Sequence, residues 1–433
     1  MRERQSFPGK LNLFQRMMLR WRGLHPYNAI HVAHVAGACD VDSLRRCIAD
    51  IMAARGLGGF ALDATQRRFV YRGGDVAPEV RELAAVSEAD ADAALAFEVE
   101  RQLNQPFAID APIRYFALPV GGGYLLGIAY DHFIAGGDAV ATLLGEIVAR
   151  VGGGAVLPPA HAPSLYPPTY VSLLRRHLGW FVTALQAMPA LVRESKRAFR
   201  PRDIDPDDPR NAYALIRVTP TETAALRGHA RTFGVTLHDL VVALLLRSLS
   251  PLAAARHDER QRREIGVASI VNIRRDFDGD AARAFGQLLA SMRVTHAVPD
   301  GVSVGALARD VREATTAIKR RHLYLRTLFG LGAASMAWRF LSTSRRNRFF
   351  AKHYPACAGI SMLDVDPCWP AAIAPATLYT RGVSTGPLTP AVLAISTTAR
   401  EMSIGVSWRL TVLPRDFPAR LEAEIRLCAR QPG

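Results

Sequence analysis

Cysteine is scarce in this sequence, and its few residues form no metal-binding or disulfide pattern. The 433 residues include five cysteines, at positions 39, 47, 357, 368 and 428. No two of them form a CxxC pair, which argues against a zinc site or a disulfide framework. An odd number of scattered cysteines fits a reducing compartment.

Long apolar runs and a secretory signal are also missing. The segment MRERQSFPGK at the start of the chain is charged and lacks the apolar core of such a signal. The longest apolar stretch, 178–192, has 15 residues and contains Pro189, whereas a membrane-spanning helix needs about 20. We therefore expect a soluble, cytoplasmic protein, with peripheral contact at the inner face of a membrane as an open alternative.

The sequence lacks the common motifs of nucleotide-binding proteins and metalloproteases, and its one match to a serine-nucleophile motif is in the wrong context. The sequence contains neither a phosphate-binding GxxxxGK motif nor HExxH. The segment GVSTG, 382–386, matches the GxSxG pattern, but two prolines and the strand-like AVLAIST follow it. A nucleophile elbow requires a helix there, so we do not expect Ser384 to be a nucleophile.

Acidic residues are outnumbered, because 54 lysines and arginines stand against 39 aspartates and glutamates, a net charge of +15. Such a surface attracts anions, including nucleic acid, anionic lipid, phosphorylated cofactors or an acidic protein. Residues 315–352 hold nine basic residues and no acid, interleaved with apolar and aromatic residues. No helix-turn-helix, zinc-finger or RNP-type signature accompanies this charge, so we expect no nucleic-acid partner.

The apolar pattern predicts alternating strands and helices. Residues 28–36 read as a strand, 41–51 as a helix and 88–104 as a second helix. The segment 113–130 predicts a hairpin that turns at its three consecutive glycines. After Gly137 the pattern becomes helical, with Asp138 placed to cap the helix.

The region 152–168 is rich in glycine and proline and is the best candidate for a linker. A basic, helix-like stretch follows it, and a second series of strand, helix, helix and strand ends near residue 272. We expect an α/β protein with mixed sheets. Its two halves, 1–165 and 209–433, would be joined by a linker and helix at 166–208.

The junction between hairpin and helix, DHFIAGG, resembles a known motif. It occupies the frame of the His-His-x-x-x-Asp-Gly motif of the superfamily that includes chloramphenicol acetyltransferase, nonribosomal peptide condensation domains and wax ester synthases. His132 matches the second, catalytic histidine of that motif, and Gly137 matches its glycine. Asp131 replaces the first histidine, and Gly136 replaces the aspartate.

Further segments in the same order resemble this superfamily over most of the chain. They are LNQPFAIDAPIRYFAL before the motif, GVTLHDLVVALLL, VNIRRDF with the later FGQ, and STGPLTPAVLAIST. The resemblance implies two chloramphenicol acetyltransferase-like half-domains with a channel between them.

The resemblance also implies that His132 is a general base for acyl transfer, a role that suits a neutral imidazole. In the family, the aspartate pairs with an arginine and sets the loop that holds the histidine. Gly136 has no carboxylate, and we expect Asp138 to pair with Arg274 instead. Asp131 precedes His132 on a strand, so its side chain should point to the opposite face.

The oxyanion formed during acyl transfer needs hydrogen-bond donors. By the resemblance, Ser384, Thr385 and Gly386 are candidates for these donors or for the lining of the channel. Gly136 and Gly137 would let the backbone approach a substrate closely. The resemblance implies no metal and no permanently bound cofactor.

The predicted activity is transfer of an acyl group from a coenzyme A or acyl-carrier-protein thioester to a hydroxyl or amine acceptor, giving an ester or amide. The basic, apolar helices favour a lipidic acyl chain. They have three interpretations: a solvated cover of the core, an anionic-membrane surface, or a docking surface for an acidic carrier protein or coenzyme A. The altered motif supports a second hypothesis, a catalytically inactive condensation-like platform that binds or recruits a carrier protein or another partner.

Overall fold

The computed structural model describes residues 6–152, 163–277, 281, 283–369 and 378–431. Contacts between residues divide the chain into two compact units. The first unit consists of Met1–Arg175, Asn272–Leu288 and Leu363–Val383, and the second of Arg176–Val271, Leu289–Met362 and Ser384–Gly433.

Both units are discontinuous in sequence, whereas the expected halves, 1–165 and 209–433, are continuous. The segments 272–288 and 363–383 lie in the first unit because they contribute a turn and an edge strand to it. The expected connection, 166–208, is largely helical. Residues 153–162 of the predicted linker lie outside the described residues.

The elements up to residue 176 include the predicted strand 28–36, the predicted helices and the hairpin, together with a first helix and four short strands that were not predicted. They are β1 (Gly9–Lys10), α1 (Leu13–Arg22), β2 (Asn28–Ala36), α2 (Val41–Ala54), β3 (Phe60–Leu62), β4 (Arg68–Tyr71), β5 (Val80–Glu82), α3 (Ala91–Asn104), β6 (Ile113–Val120), β7 (Gly123–Asp131), α4 (Gly137–Val151) and α5 (Tyr170–Arg176).

The rest of the chain is also mixed α/β. Its elements are α6 (Leu178–Gln186), α7 (Met188–Arg197), β8 (Ala212–Val218), α8 (Pro220–Phe233), α9 (Leu237–Leu249), β9 (Ile265–Asn272), β10 (Leu289–His296), α10 (Val304–Arg320), α11 (Arg326–Ala337), α12 (Thr343–Asn347), α13 (Phe349–His353), β11 (Ala358–Asp364), β12 (Tyr379–Val383), β13 (Ala391–Thr397), β14 (Met402–Trp408) and α14 (Phe417–Arg430).

One predicted cap is wrong. The N-cap residue of α4 is Gly136, in extended conformation, and Asp138 lies inside the first helical turn. The carboxylate of Asp138 does accept from the amide of Ala139 at 3.0 Å. A carboxylate in the first turn still faces the positive end of the helix dipole, but its main partner is an arginine described below.

The first unit contains a five-stranded sheet in the order β12-β2-β7-β6-β5. Neighbours are antiparallel except β5, which runs parallel to β6. His31 on β2 is the cross-strand partner of Ile128 on β7 and of Arg381 on β12. Because side chains alternate between faces, His31, Arg381 and Tyr130 project from the same face. A small three-stranded sheet, β1-β4-β3, completes the strands of this unit.

The second unit contains a six-stranded sheet in the order β10-β9-β11-β13-β14-β8. β9 and β11 are parallel, whereas β13, β14 and β8 are antiparallel. α9 contacts α8, α10 and α14, and its apolar residues lie in the core of the unit. Thr236 and Asp239 form a reciprocal capping box that begins α9. Both sheets are mixed, which confirms the predicted fold class.

Among the described helices, none is both long enough and apolar enough to cross a membrane. α8 and α9 meet that criterion only when taken together, and the chain bends by 98° between them.

Candidate active site

His132 follows directly on β7, in a turn that leads to α4. Its backbone N–H donates to the carbonyl of Tyr27 at 2.9 Å. Its ring lies against the rings of Tyr27 and Tyr130, with centroid separations of 5.5 and 5.8 Å. His132 is half-buried, so two aromatic rings hold an imidazole that keeps some access to its surroundings.

Gln287 fixes the turn that carries His132. Its buried carboxamide donates to the carbonyl of His132 at 2.7 Å and to the carbonyl of Ala135, and its nitrogen lies 3.3 Å from Nδ1 of His132. Asn12 donates to the backbone carbonyl of Gln287 at 2.5 Å. The two N–H groups of this amide have carbonyl acceptors, so Gln287 holds the turn mainly through its backbone and lies beside Nδ1 of the ring.

The predicted pair of Asp138 and Arg274 is present. Nη2 of the buried Arg274 lies 3.1 Å from Oδ1 of Asp138. The same nitrogen donates to the carbonyls of Ala284 and Gly286 at 3.0 and 2.8 Å. Asn272 donates to the second carboxylate oxygen of Asp138 at 3.2 Å. Asp138 thus anchors the start of α4 to the segment that also supplies Gln287.

Gly136 is a glycine because a neighbouring side chain fills the space beside it. A Cβ at position 136 would collide with the guanidinium of Arg274 and would lie 2.9 Å from Oδ1 of Asp138. Its φ of −83° is open to any residue, so space and not backbone conformation excludes a side chain. A Cβ at Gly137 would lie 3.2 Å from Nη1 of Arg381. Arginine side chains therefore occupy the space beside these two glycines, where a substrate was expected.

Asp131 points away from the imidazole, as predicted. Its carboxylate accepts from Nε of Arg22, and Nη2 of the same arginine donates to the carbonyl of Phe107. Burial raises the pKa of Asp131 to about 6, against the opposing effect of Arg22. The contacts of Asp131 are those of a structural residue that joins β7 to α1.

A buried polar layer beside His132 was missed by sequence reasoning. Nδ1 of His31 lies 2.6 Å from the hydroxyl of Tyr379, and Nε2 of His31 lies 3.4 Å from the hydroxyl of Tyr130. Arg381 is also buried, on the neighbouring strand. The available signal was a polar or charged residue inside an otherwise apolar strand, in NAIHVAHVA and in YTRGV.

The electrostatics of this layer keep the histidines neutral. Burial, reinforced by the positive charge of Arg381, lowers the pKa of His132 to about 3. The same causes hold the pKa of His31 well below its usual value. A neutral imidazole can accept a proton, but the cation that results is destabilised here. Among the described residues, no cluster of histidine, cysteine and acidic side chains is arranged to hold a metal ion.

Ser384, Thr385 and Gly386 lie in the second unit. Ser384 and Thr385 are buried, and Gly386 has a φ of 56°. The backbone N–H of Thr385 donates to Oδ1 of Asn211 at 2.8 Å, so this amide already has an acceptor. A strand follows at residue 391, which argues against a nucleophile elbow at Ser384. The role of these residues as oxyanion donors or channel lining stays a prediction.

Comparison with known proteins gives no match at the level of sequence and a broad match at the level of structure. No family model and no curated protein matches the chain. The first condensation domain of the CDA synthetase superimposes with a TM-score of 0.67 at 15% identity, over 97% of this chain and 95% of that domain. The epimerization domain from the third module of tyrocidine synthetase B gives 0.62 at 11%, over 99% and 97%.

A third similar structure was solved with two ligands bound. The starter condensation domain of rhizomide synthetase, solved as a mutant in complex with C8-CoA and Leu-SNAC, gives a TM-score of 0.64 at 12% identity, over 97% of this chain and 93% of that domain. At these identities the likeness shows the fold. The chain has the condensation-domain fold with its two chloramphenicol acetyltransferase-like halves, as the resemblance implied. Condensation and epimerization domains share this fold, so the fold alone does not determine the chemistry.

Proposed function

We propose that the protein transfers an acyl group from a thioester to a hydroxyl or amine acceptor, with His132 as the general base. The acceptor oxygen or nitrogen attacks the thioester carbonyl carbon while His132 takes its proton. The carbon–sulfur bond then breaks, and the leaving thiolate takes the proton from His132. An ester or amide and a free thiol result, with no net change in protons on the protein.

The observation that carries this proposal is the contact between Asp138 and Arg274. In the motif that DHFIAGG resembles, an acid and an arginine set the loop around the histidine. Here the acid comes from two positions later, at 3.1 Å from Arg274. The turn around His132 is therefore anchored although Gly136 has no carboxylate, and this supports a role for the histidine.

The acyl donor would be an acyl-coenzyme A or an acyl carrier protein, used as a co-substrate and not held permanently. The complex of the rhizomide synthetase domain with C8-CoA and Leu-SNAC supports a thioester donor of this kind. A net charge of +15 favours both donors, since coenzyme A carries phosphates and carrier proteins are acidic.

A second function, the inactive platform that recruits a carrier protein or another partner, is favoured by the environment of the imidazole. Burial and Arg381 disfavour a protonated His132, which lowers its strength as a base.

Thiol release separates the two functions. Acyl-coenzyme A and acyl-carrier-protein thioesters would be offered with pooled alcohols and amines to wild type, His132→Ala and the exposed control His257→Ala. We expect acceptor-dependent thiol release that His132→Ala abolishes and His257→Ala retains. Release that persists in His132→Ala contradicts the proposed base. Silence from the folded wild type, together with carrier-protein binding that His132→Ala leaves intact, favours the platform.

A further inference from the structure

α6 is a helix without charge that exposes apolar side chains. Its nine residues, LGWFVTALQ, include no acidic or basic residue. Leu178, Val182 and Leu185 are spaced four and three residues apart, so they form one stripe. These side chains are 63%, 45% and 54% exposed. A stripe of this kind on the outside of a helix marks an interaction surface.

The core of the unit does not need this stripe, because another face of α6 already packs inward. Phe181 and Ala184 are buried. The ring of Phe181 meets the ring of Phe329 on α11 with centroids 6.1 Å apart. α6 also contacts the turn at 323–325. The stripe therefore stays exposed although α6 packs against the rest of the unit.

α11, against which α6 packs, leads to two more exposed apolar side chains. Met336 near its end is 68% exposed, and Phe340 in the following turn is 85% exposed. Trp338 between them is buried, so this segment anchors one aromatic side chain inward and presents another outward. We call Leu178, Val182, Leu185, Met336 and Phe340 the apolar surface.

Cations flank the apolar surface. Lys319, Arg320 and Arg321 are exposed at the end of α10. The next residue, His322, stacks on Trp180 of α6 with ring centroids 3.5 Å apart, so this basic cluster lies next to α6 on the side away from the stripe. Arg176, also exposed, lies two residues before the first side chain of the stripe. Arg339, also exposed, directly precedes Phe340. The sequence has no acid from 315 to 352.

We propose that the apolar surface and its flanking cations bind the surface of a bilayer that contains anionic lipid. The apolar side chains would enter the boundary between headgroups and acyl chains, and the lysine and arginine side chains would meet lipid phosphates. Protruding side chains suit a fluid acyl layer, which adapts to their shape, better than a protein partner, which needs a matching pocket for each. A second copy of this chain is disfavoured because each copy carries a net charge of +15.

Vesicle flotation tests this proposal. Wild type would be mixed with vesicles of phosphatidylcholine alone or of phosphatidylcholine with phosphatidylglycerol. We expect flotation with the anionic vesicles only, and a loss of bound protein at high salt because the phosphate contacts are screened. The variant Val182→Glu/Leu185→Glu should bind at least about tenfold more weakly, since both substitutions place a carboxylate in the apolar stripe.

Two controls make the result specific. Phe97→Glu changes an apolar residue on α3 that is 74% exposed and lies in the first unit, and it should float like wild type. His132→Ala should also float like wild type, so the outcome does not depend on the acyltransferase proposal. Thermal unfolding would verify that each variant is folded.

Three outcomes overturn the proposal. They are absence of flotation with anionic vesicles, equal flotation of wild type and the stripe variant, and a stripe variant that loses only carrier-protein binding or self-association. In the last case the surface is a protein interface.

Discussion

Nη2 of Arg274 lies 3.1 Å from Oδ1 of Asp138, and this contact joins the first turn of α4 to the segment 272–288. The same guanidinium donates to two backbone carbonyls of the segment that carries Gln287. Gln287 in turn holds the carbonyl of His132. The chain therefore fixes the turn around its candidate base from a segment more than a hundred residues away in sequence.

A double-mutant cycle measures this contact. Arg274→Gln removes a buried guanidinium that serves three acceptors, and we expect the free energy of unfolding to fall by about 3 kcal/mol. Asp138→Asn keeps the size of the side chain and should cost about 1 kcal/mol. Because the two residues touch, their effects should not be additive, and the coupling energy from urea unfolding should be about 1 kcal/mol. Strictly additive effects would show that the two side chains act independently.

The local patterns were enough to predict the elements around the site. Alternation of apolar residues predicts β2 and the β6–β7 hairpin, and the helical period after Gly137 predicts α4. The position of His132 between strand and helix follows from these elements alone. The partner of Asp138 was also predictable, because the resemblance supplied an arginine in the VNIRRDF segment.

The buried polar layer could not be predicted in the same way. His31 and Arg381 become neighbours only because β12, from late in the chain, pairs with β2. Strand pairing over such a separation leaves no periodic trace in either segment. The cap of α4 was misassigned because the helix already begins at Gly137, so Asp138 lies in the first turn, where it pairs with Arg274.

Position 136 gives a test of that space. Restoring the acid of the motif with Gly136→Asp should not improve activity, because its Cβ would collide with Arg274. We expect Gly136→Asp and Gly136→Ala each to lower the free energy of unfolding by about 1–3 kcal/mol. Gly122→Ala is the matched control, since a Cβ there meets no atom within 4 Å. A Gly136→Asp variant that is both stable and more active would contradict the crowding described here.

Gln287 should act on the rate through the position of His132. Gln287→Met keeps the approximate size of the side chain but removes the donor to two carbonyls, so we expect a loss of about 1–3 kcal/mol in unfolding free energy. If acyl transfer is established, kcat should fall about tenfold or more with little change in KM, because the contacts of Gln287 position His132 for the chemical step. Gln261→Met, at an exposed position, should leave both constants unchanged.

The dependence of stability on pH should show that His132 is neutral in the folded state. Its pKa is about 3 in the fold against a usual value of 6.5, so between these limits the unfolded chain binds a proton that the folded chain does not. The stability that the fold gains with a neutral His132 is fully present above pH 6.5. It is lost as the pH falls towards 3, because the unfolded chain then gains a proton that the folded chain does not. We expect His132→Gln to flatten the fall in unfolding free energy measured by urea titration across this window.

Asp131 changes the pH dependence of stability in the opposite direction, so its effect has to be separated from that of His132. Its pKa is raised from 3.8 to about 6, so its contribution to stability is lost as the pH rises through this interval. Comparing His132→Gln with its parent in an Asp131→Asn background isolates the histidine. The pH dependence of the rate can be measured in the same Asp131→Asn background. Because His132 stays neutral, kcat/KM should stay level from about pH 8 down to about pH 5. A tenfold loss of rate per pH unit beginning near 6.5 would mean that His132 titrates as an ordinary, solvated histidine, and the electrostatic case for the inactive platform would then disappear.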